Sequence, residues 1–97
     1  KQDRRLPIDA GTGAIFRRQS ARCVLGDDQQ KTYLTVIADG AHFASYVQGI
    51  QVVDWTDTRE AKDNPREGMR LEPGTIQLQG HDPDSHIRFE WLRICPL

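Results

Sequence analysis

The feature of this sequence that most constrains its fold is a period of two in its apolar residues, interrupted by tight-turn signals. Residues 31–38, KTYLTVIA, are rich in β-branched and aromatic types and lead into Asp39-Gly40, a dipeptide typical of two-residue hairpins. Residues 42–47 predict the returning strand, Gln48-Gly49 predicts a second tight turn, and residues 50–55 predict a third strand. We therefore expect a three-stranded antiparallel meander at the centre of the chain.

The same alternation predicts further short strands on both sides of this meander, at 13–18, 21–25, 69–72, 75–80 and 86–94. In the last of these the apolar phase shifts after Trp91, which indicates a β-bulge. Residues 56–68 are polar and contain Asn64-Pro65, so they predict a long surface loop. Short strands with frequent turns are typical of an antiparallel β-sandwich or jelly roll.

Composition bounds the function. The 97 residues make one domain at most, and 13 basic against 14 acidic residues leave a net charge of -1. Such a balance gives no field that would favour nucleic acid or an anionic membrane, and no stretch approaches the roughly 20 apolar residues of a membrane span. The two cysteines, Cys23 and Cys95, do not match a zinc pattern, and they are predicted to be either reduced thiols or one disulfide.

Few motifs carry recognisable chemistry. No phosphate-binding loop, nucleophile elbow or pair of carboxylates at strand spacing is present, and Asp54 and Asp57 are interpreted as solvated or turn-capping. Residues 81–86, HDPDSH, group oxygen and nitrogen ligands, so they predict either a divalent metal site or a Pro-Asp turn. Trp55 and Trp91 are aromatic faces that could stack on a sugar ring or pack in the core.

Several segments together resemble the 3-keto-disaccharide hydrolase domain family. They run in order over nearly the whole chain: GTGAIFRRQSAR at 11–22, ADGAHFASYVQGIQVVDWTDTR at 38–59, NPREGMRLEPGTIQLQGHDP at 64–83, and the final IRFEWLRI. The resemblance implies a concanavalin A-like β-sandwich (jelly roll) of which this chain, 1–97, is a partial domain, namely the C-terminal half. One departure falls at the second hairpin, where Gln48-Gly49 replaces the family's Asn-Gly although Gln adopts left-handed backbone less readily.

The resemblance also implies an activity. The family is associated with sugars oxidised to a ketone at C3, a change that acidifies the C2 proton and allows the glycosidic bond to break by proton abstraction and elimination, followed by hydration. Such a hydrolase or lyase needs a general base and a group that stabilises an enolate, and it does not need the paired carboxylates of ordinary glycosidases.

Residues carried over by position give the expected site. Arg17 matches an Arg at the end of a family strand and would hold the keto or enolate oxygen, with Ile15 on the same face. Gln79 would bond sugar hydroxyls. Trp55 is added to the expected site for its aromatic face and not from the family motif. His81 would act as base, acid or metal ligand, and the alternative for it is a histidine that anchors a turn.

Two other functions stay open from the sequence. The domain could be a non-catalytic carbohydrate-binding sandwich, since fold does not fix function. It could also be a self-associating interaction domain, because a half-sandwich exposes edge strands and an apolar face. We expect a carbohydrate ligand, a homo-oligomer or completion by another chain, and, from the resemblance alone, a secreted or periplasmic location in bacteria.

Overall fold

The computed structural model describes residues 5, 10–26, 30–80, 83–84 and 86–97. Their regular structure is one antiparallel sheet of order β1-β2-β3. Its strands are β1 at Leu34–Asp39, β2 at His42–Val47 and β3 at Ile50–Thr56. No α-helix occurs among the described residues, so the predicted all-β class and the central meander are both confirmed. Accordingly, no described helix has the length and apolar character that crossing a membrane requires.

Two short loops set the register of the meander. Asp39 faces His42 across the first turn, so Gly40 and Ala41 form its loop, and Gly40 has a φ of 58°. A positive φ at the first loop position alone is the type II′ pattern. Val47 faces Ile50 across the second turn, where Gln48 and Gly49 have φ values of 54° and 79°, the type I′ pattern.

Gln48 stands at a left-handed position where Asn is more usual, and its side chain makes two hydrogen bonds there. Its Oε1 accepts from the backbone N–H of Tyr33 at 3.0 Å, and its Nε2 donates to the Lys31 carbonyl oxygen at 3.2 Å. Its own backbone N–H donates to the Tyr33 carbonyl oxygen at 2.9 Å. These bonds extend the β1–β2 ladder beyond Leu34, and they offset the weaker preference of Gln for this backbone conformation.

A bulge in β3 decides where the core lies. Ser45 faces Val53 and Tyr46 faces Gln51, so Val52 is an extra residue on β3. Val52 and Val53 are consecutive yet both buried, because the extra residue breaks the alternation and brings both side chains to the face that carries Ser45. The bulge predicted in 86–94 is wrong, because those residues form no strand.

The second layer is an irregular segment rather than a second sheet. We call residues 10–25 the covering segment. It crosses one face of β2 and β3, and its Ala21 joins Val47, Val52 and Val53 in the buried cluster. The Arg22 N–H donates to the Val52 carbonyl oxygen at 3.0 Å, and Arg22 Nε donates to the Gln51 carbonyl oxygen at 2.6 Å. Both Cys23, which packs on this cluster, and the exposed Cys95 are free thiols.

The strands predicted at 13–18 and 21–25 are wrong. Gly13 has a φ of 89°, and Ile15 and Gln19 exchange two backbone hydrogen bonds of 2.9 and 3.0 Å around a three-residue loop. Arg17 lies at the tip of that loop with a φ of 60°. Local turn closure thus overrides the alternating pattern, and residues 21–25 run beside β3 without forming a strand.

The predicted strands after the meander are also absent. Residues 69–72 contribute a single bridge between Ala61 and Met69, within the loop region that follows β3. Residues 75–80 and 86–94 form no strand, and their large apolar side chains are exposed. A β pattern yields a strand only when a neighbouring strand pairs with it, and none of the three described strands pairs with these segments.

Candidate functional site

A groove lies on the covered face of the sheet, beside residues 13–15 of the covering segment. Its volume is about 290 Å³. We call it the aromatic groove; it is lined by Gly13, Ala14, Ile15, Val36, Phe43, Ala44, Ser45 and Trp55. Val36 is 63% exposed although it faces Ser45 across the ladder, which shows that the covering segment leaves the β1 part of this face open. The groove is thus bounded by the sheet on one side and by residues 13–15 on the other.

Two aromatic side chains form the floor of the groove. Phe43 and Trp55 face each other across β2 and β3, and their ring centroids are 5.9 Å apart with 29° between the planes. Direct cross-strand pairing fixes this arrangement, because paired side chains project from the same face. The Trp55 ring also lies 5.9 Å from the guanidinium carbon of Arg59. Such an electron-rich, apolar surface suits the C–H face of a sugar ring.

A half-buried ion pair lies just after the end of β3. Arg59 donates from Nε and Nη2 to the two carboxylate oxygens of Asp57 at 2.9 and 2.8 Å, and from its backbone N–H at 3.1 Å. The hydrogen bonds from Arg59 hold the pKa of Asp57 below its ordinary value of 3.8, against the opposing effect of desolvation. Asp57 is only 6% exposed, so the interpretation as a solvated carboxylate is wrong, whereas the turn-capping interpretation is confirmed by the bond to the Arg59 N–H.

The near rim of the groove depends on Gly13. A Cβ at this position would lie 2.7 Å from Val52 Cγ2 and 3.0 Å from Val47 Cγ2. The Gly13 carbonyl oxygen accepts a 2.5 Å hydrogen bond from Ser45 Oγ, and this bond gives the buried hydroxyl a partner. Only glycine allows the covering segment to approach the sheet this closely, and this approach places Ile15 over the groove.

A second depression adjoins the groove. Its volume is about 280 Å³, and we call it the basic hollow; it is lined by Ala10, Ile15, Arg17, Arg18, Gln19 and Ser20. Ile15 lines both depressions. The Arg17 guanidinium carbon lies 5.0 Å from the centroid of the Phe16 ring, and Arg18 Nη2 donates to the Arg66 carbonyl oxygen at 2.7 Å. An anionic or strongly polar oxygen beside Ile15 would therefore meet an exposed arginine.

The structure brings together three of the five residues predicted for the site. Ile15 and Trp55 line the aromatic groove, and Arg17 lines the adjoining hollow. Ile15 and Arg17 share this region through the tight loop 15–19 rather than through strand alternation. Gln79 is exposed and lines neither depression, while His81 lies outside the described residues. Asp82 and Ser85 of the predicted 81–86 metal site lie outside the described residues too. No cluster of metal-ligating side chains occurs within the described ranges.

Sequence reasoning missed two contributors to the groove and a third feature that lies outside it. Phe43 and Arg59 were not singled out, although their positions relative to Trp55 follow from the predicted hairpin and from the Asp-x-Arg spacing after it. The third is a contact between His42 Nε2 and Asp54 Oδ1. Since Asp54 faces Ala44, this pair lies on the sheet face opposite Phe43 and Trp55, away from the groove.

Fold and site together define an all-β domain with an aromatic-floored groove beside an exposed arginine. The family model described as the 3-keto-alpha-glucoside-1,2-lyase-like domain matches residues 1–95. The chain therefore belongs to the 3-keto-disaccharide hydrolase domain family, and the predicted resemblance is confirmed. No curated protein and no solved structure matches the chain.

Proposed function

We propose that this chain is part of a carbohydrate-active domain that binds a 3-keto-glycoside in the aromatic groove. The observation that carries the proposal is the stacked Phe43–Trp55 floor next to the basic hollow, in a member of this family. The C–H face of the sugar packs on the two rings, and its oxidised edge points past Ile15 toward Arg17. A stacked pyranose and one charged hydrogen-bond donor suffice to orient the ring.

The reaction proposed for the domain is elimination across C1 and C2. A base removes the C2 proton, whose acidity comes from the C3 ketone, and the electron pair forms an enolate with its charge on the C3 oxygen. Collapse of the enolate restores the ketone, forms the C1–C2 double bond and breaks the bond between C1 and the leaving oxygen, which takes up a proton. Water can then add across the double bond, so that the overall change is hydrolysis.

Arg17 is the group proposed to stabilise the enolate. Its guanidinium is permanently charged, and it lies on an exposed loop tip that is fixed by the Ile15–Gln19 hydrogen bonds. His81 is proposed to carry the proton and Gln79 to bond sugar hydroxyls. Both roles rest on the positions that these residues share with the family motif.

A second candidate function, non-catalytic sugar binding, is favoured by one observation. None of the described residues that line the aromatic groove has a titratable side chain, and the one hydroxyl among them, Ser45 Oγ, already donates to the Gly13 carbonyl oxygen. Such a groove can stack a sugar but supplies no base by itself. The two functions differ in turnover, and binding alone does not separate them.

We also propose that the sheet is one layer of a β-sandwich that further strands complete. Leu34 and Val36 lie on the same face as the core residue Val47 and are exposed, as are the apolar residues of 75–80 and 86–94. A sandwich buries such rows between two sheets. Under this proposal the chain forms only part of the complete sandwich domain.

The test of the activity uses a chromogenic pair of substrates. p-Nitrophenyl 3-keto-α-glucoside and its unoxidised parent are incubated with the full chain, and release of p-nitrophenol is followed by absorbance. We expect release from the keto substrate alone, and loss of an enolate contact in Arg17→Ala should lower kcat/KM by about 100-fold. Arg70→Ala removes an exposed arginine elsewhere and should leave the rate unchanged.

Binding is measured separately so that a missing base can be distinguished from a missing site. In a Trp91→Phe background, Trp55 is the remaining tryptophan and reports groove occupancy by fluorescence. Quenching by the keto sugar without turnover would favour the binding function. If the keto sugar causes no quenching and no turnover, the proposed carbohydrate site in this groove is refuted.

A further inference from the structure

The last part of the chain presents a row of apolar side chains with no cover. In residues 86–97, which we call the C-terminal segment, Ile87, Phe89 and Trp91 are 63%, 54% and 59% exposed. This segment makes no backbone hydrogen bond to any other described residue. A β-type sequence with unpaired N–H and C=O groups is a template for strand addition.

Side-chain contacts place this segment beside the start of β1. Lys31 Nζ lies 3.2 Å from Glu90 Oε2, and the Tyr33 and Trp91 ring centroids are 6.2 Å apart. Both partners of the ion pair are well exposed. The Glu90 side chain can therefore be approached by another donor.

When two copies of the segment are paired antiparallel, the residues of one copy are complementary to those of the other. We propose that two copies of this chain associate by antiparallel pairing of residues 87–91, with the two-fold axis passing between the two Phe89 residues. In this register Ile87 of each copy faces Trp91 of the other, on the same face as the Phe89 pair. On the opposite face, Arg88 of each copy meets Glu90 of the other, which gives two identical ion pairs.

Neighbouring registers lack this complementarity. A two-fold axis at Glu90 places the two carboxylates against each other and sets Arg88 against Leu92. An axis at Trp91 sets Glu90 against Leu92 and Phe89 against Arg93. Like charges, or a charge against an apolar residue, are unfavourable directly across a ladder, so the sequence selects the axis at Phe89. This inference does not depend on sugar binding.

Charge reversal tests the register directly. The full chain, Arg88→Glu, Glu90→Arg and the double variant R88E/E90R are compared by light scattering over a concentration series, with far-UV circular dichroism to check folding. We expect a dimer for the unchanged chain, a dissociation constant about tenfold higher for each single variant, and recovery to within about twofold in the double variant. Arg70→Glu makes the same change in net charge as Arg88→Glu and should behave as the unchanged chain.

The variant Arg88→Glu is the more informative single change, because Glu90→Arg also removes the contact with Lys31. A chain that is monomeric at all concentrations would overturn the proposal. A dimer whose double variant is no stronger than the single variants would overturn it as well.

Cross-linking provides a second measurement. In a chain whose own cysteines are replaced by serine, Phe89→Cys places two thiols directly opposite each other, within the range that a disulfide spans. Mild oxidation should give a covalent dimer, whereas Ile94→Cys, five residues from the axis, should stay monomeric. Equal cross-linking of the two variants would refute the axis at Phe89.

Discussion

Replacing Gly13 by alanine tests the close approach on which the near rim of the groove depends. The new Cβ would lie 2.7 Å from Val52 Cγ2 and 3.0 Å from Val47 Cγ2. Val47 is 0% exposed and Val52 is 2% exposed, so neither side chain can move into solvent. The φ of 89° adds a backbone cost that glycine does not have.

The two costs can be separated with a matched glycine. Gly40 also has a positive φ, of 58°, but a Cβ there meets nothing within 4 Å. Gly40→Ala should therefore lose about 1–2 kcal/mol from backbone strain alone. Gly13→Ala should lose a further 1–3 kcal/mol, roughly, from overpacking, so the difference between the two variants measures the contact with Val47 and Val52.

Urea unfolding followed by tryptophan fluorescence gives both free energies of unfolding. For a domain of this size a loss of 1 kcal/mol lowers the Tm by about 4–8 °C, so thermal melts provide an independent estimate of the difference. If Gly13→Ala and Gly40→Ala are equally stable within about 0.5 kcal/mol, the covering segment is not seated on the sheet as described. The same variant should weaken quenching of Trp55 by a sugar, because Ile15 would be displaced from the groove.

Three further predictions concern stability. Val47→Ala should cost about 2–3 kcal/mol in urea unfolding because it empties the centre of the core, whereas Val36→Ala, at an exposed position of the same face, should stay within about 0.5 kcal/mol. Gln48→Ala should cost about 1 kcal/mol, since two hydrogen bonds to the start of β1 are lost, and a cost near zero would refute that role. Because the folded pKa of Asp57 is lowered, its stabilising contribution is complete above pH 3.8 and is lost as the pH falls through the folded value; acid melts of Asp57→Asn should lack this component.

The meander could be predicted from the sequence because its signals are local. Each strand of residues 31–55 is short, and each turn contains a glycine at a position that requires positive φ. The type of the first turn could not be predicted in the same way. Asp39-Gly40 suggests a type I′ loop made of those two residues, but the loop consists of Gly40 and Ala41. A shift of one residue in the loop is decided by which strand residues pair, and this depends on the whole hairpin.

The rest of the fold depends on partners that a local pattern does not specify. Residues 13–18 alternate like a strand, but the hydrogen bonds between Ile15 and Gln19 close a tight loop instead. Residues 75–80 alternate equally well, yet they form no strand in the described structure. Period two reports which faces would be apolar in an extended conformation, and it does not report whether another strand lies alongside.

The site was predictable where the sheet itself positions the residue. Trp55 lies on β3 opposite Phe43, so its neighbour in the groove follows from the register of the second hairpin. Arg17 was expected on a strand that does not form. It lies beside the groove because the Ile15–Gln19 hydrogen bonds close a tight loop that carries it. The pairing of Asp57 with Arg59 was missed because burial of a carboxylate depends on residues that close over the end of the sheet, which a sequence pattern does not show.

The bulge at Val52 connects these observations. If β3 alternated strictly through this region, Val52 and Val53 would project from opposite faces of the sheet. The covering segment would then lose the side chain against which Gly13 packs, together with the anchor that holds Arg22 beside β3. Since the covering segment carries Ile15 and its loop carries Arg17, one inserted residue in a strand determines whether a charged donor stands next to the aromatic floor. The position of the arginine therefore depends on the sheet register, and variants that remove the bulge should abolish the proposed sugar binding even with Arg17 and Trp55 intact.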